Sequence, residues 1–171
     1  AKTIKELNHH GWFMDMLGAY SDYRSPINIH INNTKGEPQE IADRFMLNLR
    51  ECNQSVRSRL VVENEDKGIW TPKLLAKHFN IPITYDNLHH KCLPDGLTET
   101  QAFTLCYKTW HRTGYFKPLF HYSESHPNKN NPRSHADMPT GLPKDGGHSF
   151  AVDYDIELKS KDDAIEAFAA L

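Results

Sequence analysis

A chain of 171 residues is long enough for one domain with a sizeable core. Its 25% charged and 38% hydrophobic residues give a soluble, globular composition, and no apolar run is long enough for a membrane span or a signal peptide. A net charge of -2 says little about partners, and three cysteines without CxxC spacing argue against a disulfide framework and for a reducing compartment, the cytosol or, in a eukaryote, the nucleus.

The first residue is Ala1 and helical texture begins at once, so the chain is expected to start inside an element. Thr3 to Leu17 reads as an amphipathic helix with Ile4, Leu7, Trp12, Phe13 and Leu17 inward. A strand runs from Ile27 to Ile31, followed by the loop Asn32 to Gly36. Pro38 sits near the start of the next helix, whose apolar face carries Ile41, Phe45, Leu47 and Leu49. The strand Arg59 to Glu63 follows, then a helix from Lys73 to Phe79 with Thr71 as cap and Pro72 in its first turn. Ile81 to Tyr85 is a strand, and Thr98 to Thr113 a helix opened by a capping box, Thr98 with Gln101. Lys117 to Tyr122 is a strand. Ser123 to Gly147 is too polar for a core, and a loop of that length is usually functional or disordered. Asp153 to Leu158 is the last strand and Lys161 to Leu171 the last helix. Strict alternation predicts an α/β fold with a parallel sheet and helices outside. Five strands cannot close an eight-stranded barrel, so the chain is either an open sheet or five units of a barrel lacking the first three.

The chemistry gathers at strand ends. Glu63 closes the apolar run Leu60-Val61-Val62, where a carboxylate is costly to bury unless paired or coordinated; a salt bridge to a lysine is the bland alternative. Asp86 holds the corresponding place on the next strand, with His89 and His90 in the turn after it. His30 and His121 sit on apolar strands, where a lone histidine is more often a satisfied core residue, but their matching positions raise both. Glu157 ends the last strand beside Lys159 and Lys161, and His126, His135 and His148 lie in the long loop. Asn64, Glu65 and Asp66 point into the loop after Glu63, and one of them is expected to cap a helix. Cys92 is near enough to His90 to approach a metal, although a buried structural thiol is the commoner state. Carboxylates with imidazoles suit zinc, manganese or iron, and carboxylates shared between cations suit hydrolysis of phosphate esters. No Ser-His-Asp arrangement, GxGxxG or Walker pattern competes. Lys108, Arg112, Lys117, Lys129 and Arg133 stand against one acid, Glu124, which fits a local phosphate-binding patch or a solvated face equally well.

The runs Arg59-Leu-Val-Val-Glu63-Asn-Glu-Asp66, Asp86-Asn-Leu-His89-His90, His121-Tyr-Ser-Glu124, Arg133-Ser-His135-Ala-Asp137 and Asp155-Ile-Glu157-Leu-Lys159-Ser-Lys161, in this order, resemble the ultraviolet damage endonuclease family. The resemblance implies a (β/α)8 TIM barrel of the endonuclease IV and xylose isomerase type. It implies a nick immediately 5′ to pyrimidine dimers or 6-4 photoproducts in double-stranded DNA, leaving a 3′-hydroxyl and a 5′-phosphate. It implies two or three divalent cations, typically manganese. Carried over, Glu63, Asp86 and Glu157 are the catalytic carboxylates. Glu63 and Glu157 share metals, Asp86 and His121 complete one shell, His30 joins a second, and His89 and His135 a third. Lys117, Lys129 and Arg133 would meet the DNA backbone. Leu119 departs from the family, which carries a lysine two residues before the His121 position. The early histidine ligands and the residues that probe the lesion would lie in the absent units, supplied by a missing segment or a separate chain. Rival readings are abasic-site cleavage or sugar isomerisation on the same barrel, or a non-catalytic subunit needing a partner.

Overall fold

The computed structural model describes residues 2–114, 116–143 and 150–171. Strand β1 (Ile27–Ile29) pairs in parallel with β2 (Leu60–Glu63), and β2 with β3 (Ile83–Thr84). A second parallel pair joins β4 (Leu119–Tyr122) to β5 (Asp153–Ile156). The two sheets meet at a parallel bridge between Asp86 and His121, where the His121 N–H donates to the Tyr85 carbonyl at 2.9 Å. The strands therefore run side by side in chain order with their C-terminal ends on one rim, as the alternating pattern predicts.

Parallel neighbours need crossovers. The helices α2 (Pro38–Arg50) and α3 (Gln54–Arg57) connect β1 to β2, α4 (Pro72–His78) connects β2 to β3, and α5 (Asn87–Cys92) and α6 (Glu99–Thr109), with a 3-10 turn at Trp110–Thr113, connect β3 to β4. Helix α1 (Lys2–Met16) precedes β1 and α7 (Asp162–Ala169) follows β5, and the long loop joins β4 to β5 with no helix among the described residues. Local chemistry sets their starts. Thr71 caps α4 by accepting the Leu74 N–H at 3.3 Å, with Pro72 in the first turn. Thr98 and Gln101 form the reciprocal capping box of α6. The short helices α3 and α5 fall in segments without helical periodicity; each is opened by a capping side chain, Asn53 or Asp86.

The inward face of α1 differs from expectation. Ile4 and Leu7 pack against the buried residues Ile27, Cys52, Val56 and Leu60, but Trp12, Phe13 and Leu17 are exposed. Gly11 is the residue turned inward, and a Cβ there would stand 3.0 Å from both Ser55 Oγ and Val56 Cγ2. The helices α1 and α3 approach closely at that glycine, which sets the rotation of α1 and leaves its large side chains outside. On α2, Ile41, Phe45 and Leu49 face inward one turn apart, so Leu47 is turned to solvent.

All of β2 is buried, and the core around it is aromatic, with Trp70, Trp110, Phe103 and Phe120 fully buried. Both indoles are satisfied: Trp70 donates to the Asn33 carbonyl at 2.7 Å and Trp110 to the Ile83 carbonyl at 2.9 Å. Arg59, at the start of β2, is also fully buried. Its guanidinium donates to Asp15, Ser55, Ser21 and the carbonyls of Ala19 and Tyr20, which makes that burial tolerable and ties residues 15–21 to the sheet. Among the described residues no helix is long and apolar enough to cross a membrane.

Candidate metal centre

The rim formed by the strand ends gathers most of the titratable side chains singled out in the sequence. Glu63, the last residue of β2, is only 3% exposed. Its Oε1 lies 3.0 Å from His89 Nδ1, and its Oε2 lies 3.2 Å from His121 Nδ1 and 3.6 Å from His30 Nε2. The Asn28 side-chain amide donates to the same Oε2. Asn28 and His30 are two residues apart, so both turn to the Glu63 side of β1. Asp86 caps α5, its Oδ1 accepting the His89 N–H at 2.8 Å, which swings His89 back over the strand ends. Glu157 follows β5 and brings Oε1 to 3.2 Å from His121 Nδ1.

Burial opposes charge on Glu63, yet the imidazoles of His121 and His89 outweigh it and hold the carboxyl well below the usual range. Burial likewise opposes charge on the imidazoles, but Glu63 and Asp86 push His89 up to about 9. Glu157 and Glu63 push His121 up to about 10 against the same burial. The His121 imidazole lowers Glu157, and burial raises Asp86. Without a cation, protons on imidazoles balance the clustered carboxylates.

Three sets of donor atoms lie within 4.8 Å of one another: His30, Glu63 and His89; Glu63, Asp86 and His121; His121, Asp155 and Glu157. Glu63 Oε1, His30 Nδ1 and His121 Nδ1 are buried and make no well-directed hydrogen bond, although other donors and acceptors surround them. Such orphaned groups are costly unless a further partner arrives, and a cation fits that need. The tautomers fit as well. A carbonyl can only accept, so His89 Nδ1 donates to the Asn64 carbonyl at 2.9 Å and His135 Nδ1 to the Glu157 carbonyl at 2.7 Å. Each ring then keeps Nε2 as its free ligand atom, the arrangement usual for metal-binding histidines.

His135 reaches the rim because the long loop is folded back on itself. Ser125 bridges to His135, the Glu124 carbonyl accepts the Ala136 N–H at 2.7 Å, and the Glu124 carboxylate accepts from Thr140 and from the Tyr122 hydroxyl. His126 faces Asp137 at 3.3 Å, away from the cluster, and His148 lies outside the described residues. His90 sits in α5 rather than a turn, and faces Tyr85 and Asp95 at 3.3 Å each. Cys92 is a free, half-buried thiol outside the three donor sets.

None of Asn64, Glu65 and Asp66 caps a helix. Asn64 clamps the Asp86 backbone, accepting from its N–H at 2.8 Å and donating to its carbonyl at 3.0 Å. Glu65 accepts the Asn32 N–H at 2.6 Å, where Asn32 has a left-handed φ of 55°, and so fixes the turn after His30. Ser123 donates to Asp86 Oδ2 at 3.2 Å. From the sequence, Asn28 and Ser123 carry no assigned role, Asn64 is only a candidate cap, and Asp155 is only part of the run that ends in Glu157; the i, i+2 spacing of Asp155 and Glu157 on one strand face is the available signal.

The basic stretch does not form one patch. Lys117 precedes β4 and pairs with Asp153 at 2.5 Å, at the strands' N-terminal end and roughly 13 Å along the strand from His121. Arg112 donates to the Phe79 carbonyl, and α6 ends where Thr109 meets the Ile83 N–H, so Lys108 and Arg112 lie at that far end too. Chain reversal in each β/α unit separates residues that are near in sequence. Of these five, Lys129 and Arg133 belong to the loop that reaches the rim; Arg133 stands 3.8 Å from Asp66.

Comparison with known proteins bears on this rim. The family model described as UV-endonuclease UvdE matches residues 1–170. The UV DNA damage endonuclease of Bacillus velezensis is 31% identical over 175 aligned residues, 96% of this chain and 53% of its own length. The UV-damage endonuclease of Schizosaccharomyces pombe is 35% identical over 104 residues, 57% of this chain and 17% of its own. The crystal structure of SacUVDE aligns with a TM-score of 0.77 at 27% identity, covering 98% of this chain and 57% of that one. The chain thus spans about half the length of the Bacillus relative and of SacUVDE.

Proposed function

This chain belongs to the UV-endonuclease UvdE family, and we propose that it carries most of the cation site of a DNA repair endonuclease that nicks immediately 5′ to ultraviolet lesions, leaving a 3′-hydroxyl and a 5′-phosphate. The observation that carries the reading is the buried Glu63 carboxylate set among the imidazoles of His30 after β1, His89 in α5 and His121 in β4. The parallel strands are read as consecutive units of a (β/α)8 barrel, with the further units completing the rim and the surface that meets the lesion.

Glu63, Asp86 and His121 would hold one divalent cation, His30 would join a second at Glu63, and His89 with His135 a third, with Glu157 shared between neighbours. Manganese is the proposed metal, with zinc or iron compatible with the same nitrogen and oxygen donors. Bound there, divalent cations would supply Lewis-acid activation of water and neutralise charge on the scissile phosphate. The protein's own part is orientation. Asn64 and Ser123 fix Asp86, the Asn64 and Glu157 carbonyls fix the rings of His89 and His135, and Asn28 fixes Glu63. Arg133 and Lys129 would take backbone phosphates, the weak exposed pair of Arg133 with Asp66 exchanging readily for a phosphate oxygen.

Nicking of an ultraviolet-irradiated supercoiled plasmid tests this, with undamaged plasmid and Glu63→Gln as controls. Conversion to open circle that needs both damage and manganese, and disappears in the variant, supports the reading. Equal cutting of abasic plasmid alone would move the assignment to a different lesion chemistry. Folded, manganese-loaded chain that cuts nothing would refute cleavage by this chain alone.

A further inference from the structure

We infer that Asp155 is a cation ligand, and that with Glu157 it joins the ion that His121 holds at the edge of the Glu63 cluster. The inference rests on reading the Glu63 cluster as metal-binding and adds to it a residue which that cluster does not need.

Register places it. Asp155 is the Cα partner of His121 across the parallel β4–β5 pair. Asp155 and Glu157 are two residues apart and so share the strand face turned to His121. One donor atom from each of the three side chains lies within 4.8 Å of the others. Two donors bound to one ion at about 2.0–2.2 Å stand up to about 4.4 Å apart, so a small rotamer adjustment closes the set. His121 is only 6% exposed, and its Nδ1 makes no well-directed hydrogen bond while lying 3.2 Å from both Glu157 Oε1 and Glu63 Oε2. That is a buried polar atom set between the β5 carboxylates and the Glu63 cluster.

Charge points the same way. Three acids alternate along β5 and the residue after it, Asp153, Asp155 and Glu157. The first is balanced by Lys117 at 2.5 Å. Among the described residues no lysine or arginine pairs with the other two; the groups facing Glu157 are the imidazoles of His121 and His135. Adjacent carboxylates on one strand face repel unless a countercharge sits between them, and a divalent cation supplies two charges at one point. A cavity of about 290 Å³ lies beside both carboxylates, lined by His135, Asp155, Glu157, Lys159 and Lys161.

Titration with Mn2+ tests this directly, following the electron paramagnetic resonance signal of the free ion in the presence of the 171-residue chain. Wild type, Asp155→Asn, Asp155→Glu and Glu63→Gln are compared. Loss of an outer-sphere partner typically weakens metal affinity about 10–100-fold, and loss of a direct ligand should do at least as much. Asp155→Asn is expected to lose one manganese equivalent, or to weaken one class of site at least about tenfold, while the remaining sites persist. Asp155→Glu should keep that equivalent, and Glu63→Gln should lose it together with the other sites of the cluster. Should Asp155→Asn fail to fold, Asp155→Ser is read in the same way. Wild-type stoichiometry and affinity in Asp155→Asn would overturn this inference and leave the Glu63 cluster standing. A wild-type chain that binds no manganese would overturn both.

Discussion

Asn64 offers the sharpest test of how the rim is held. Its side chain is fully buried and clamps both backbone polar groups of Asp86, at 2.8 Å and 3.0 Å. Asn64→Leu keeps the approximate volume and removes both bonds. The Asp86 N–H then loses its partner inside the protein, a penalty of about 1–3 kcal/mol. The Asp86 carbonyl still accepts the His90 N–H at 3.2 Å, so it loses one bond of about 0.5–1.5 kcal/mol net and is not stranded. The sum, about 1.5–4.5 kcal/mol, is a large share of the roughly 5–15 kcal/mol that a domain commands. Urea denaturation of the metal-free protein at pH 7 reads it as a fall in the midpoint at unchanged slope. Because Asp86 caps α5 and sets the position of His89, manganese affinity should fall about 10–100-fold as well. A loss under about 1 kcal/mol with unchanged manganese affinity would refute the view that this clamp joins the ends of β2 and β3.

Metal-free protein should lose stability as pH rises. His89 and His121 are pushed up to about 9 and about 10 in the folded chain, above the ordinary value of 6.5, so their contribution is full below about pH 6.5 and is lost as pH climbs through those values. Urea midpoints taken from pH 6 to 10 check this. Manganese affinity should run the other way over pH 6 to 8, because protons and metal compete for the same imidazoles. Gly11→Ala, a change that adds about 1 kcal/mol in an open helix, should instead destabilise by about 1–3 kcal/mol because its Cβ meets Ser55 and Val56 at 3.0 Å; a raised melting temperature would contradict that packing. Lys117→Ala should leave DNA affinity and its salt dependence unchanged, whereas Lys129→Ala and Arg133→Ala should each reduce the slope of log affinity against log salt by about 1.

The strand ends were the legible part of this chain. Glu63, Asp86, His121 and Glu157 each close or follow a β-rich run, and the pleat leaves such residues few places to point. Their convergence with His30 and His89 follows from parallel strands laid side by side in chain order. His135 was legible only through resemblance, because its position depends on a loop held by Glu124 and by the Ser125 bridge, contacts without periodicity. The rotation of α1 was not legible because Trp12 and Phe13 look like core residues, and nothing local reveals that Ser55 and Val56 demand a glycine at position 11. The helix α5 is too short to show a repeat; its sign is the Asp86 cap, which in sequence reads only as a strand-end acid. Lys117 looked like a partner of Arg133 because sequence distance does not reveal that the intervening strand carries the chain from one end of the sheet to the other.

The central claim is that Glu63 anchors a cation cluster, and the most direct measurement is anomalous diffraction from crystals of the chain grown with manganese. The account predicts anomalous peaks about 2.0–2.2 Å from a Glu63 carboxylate oxygen, with His121 and Asp86 around the same ion. Crystals soaked to saturation that show no peak on this rim, with Glu63 hydrogen-bonded only to protein and water, would contradict it.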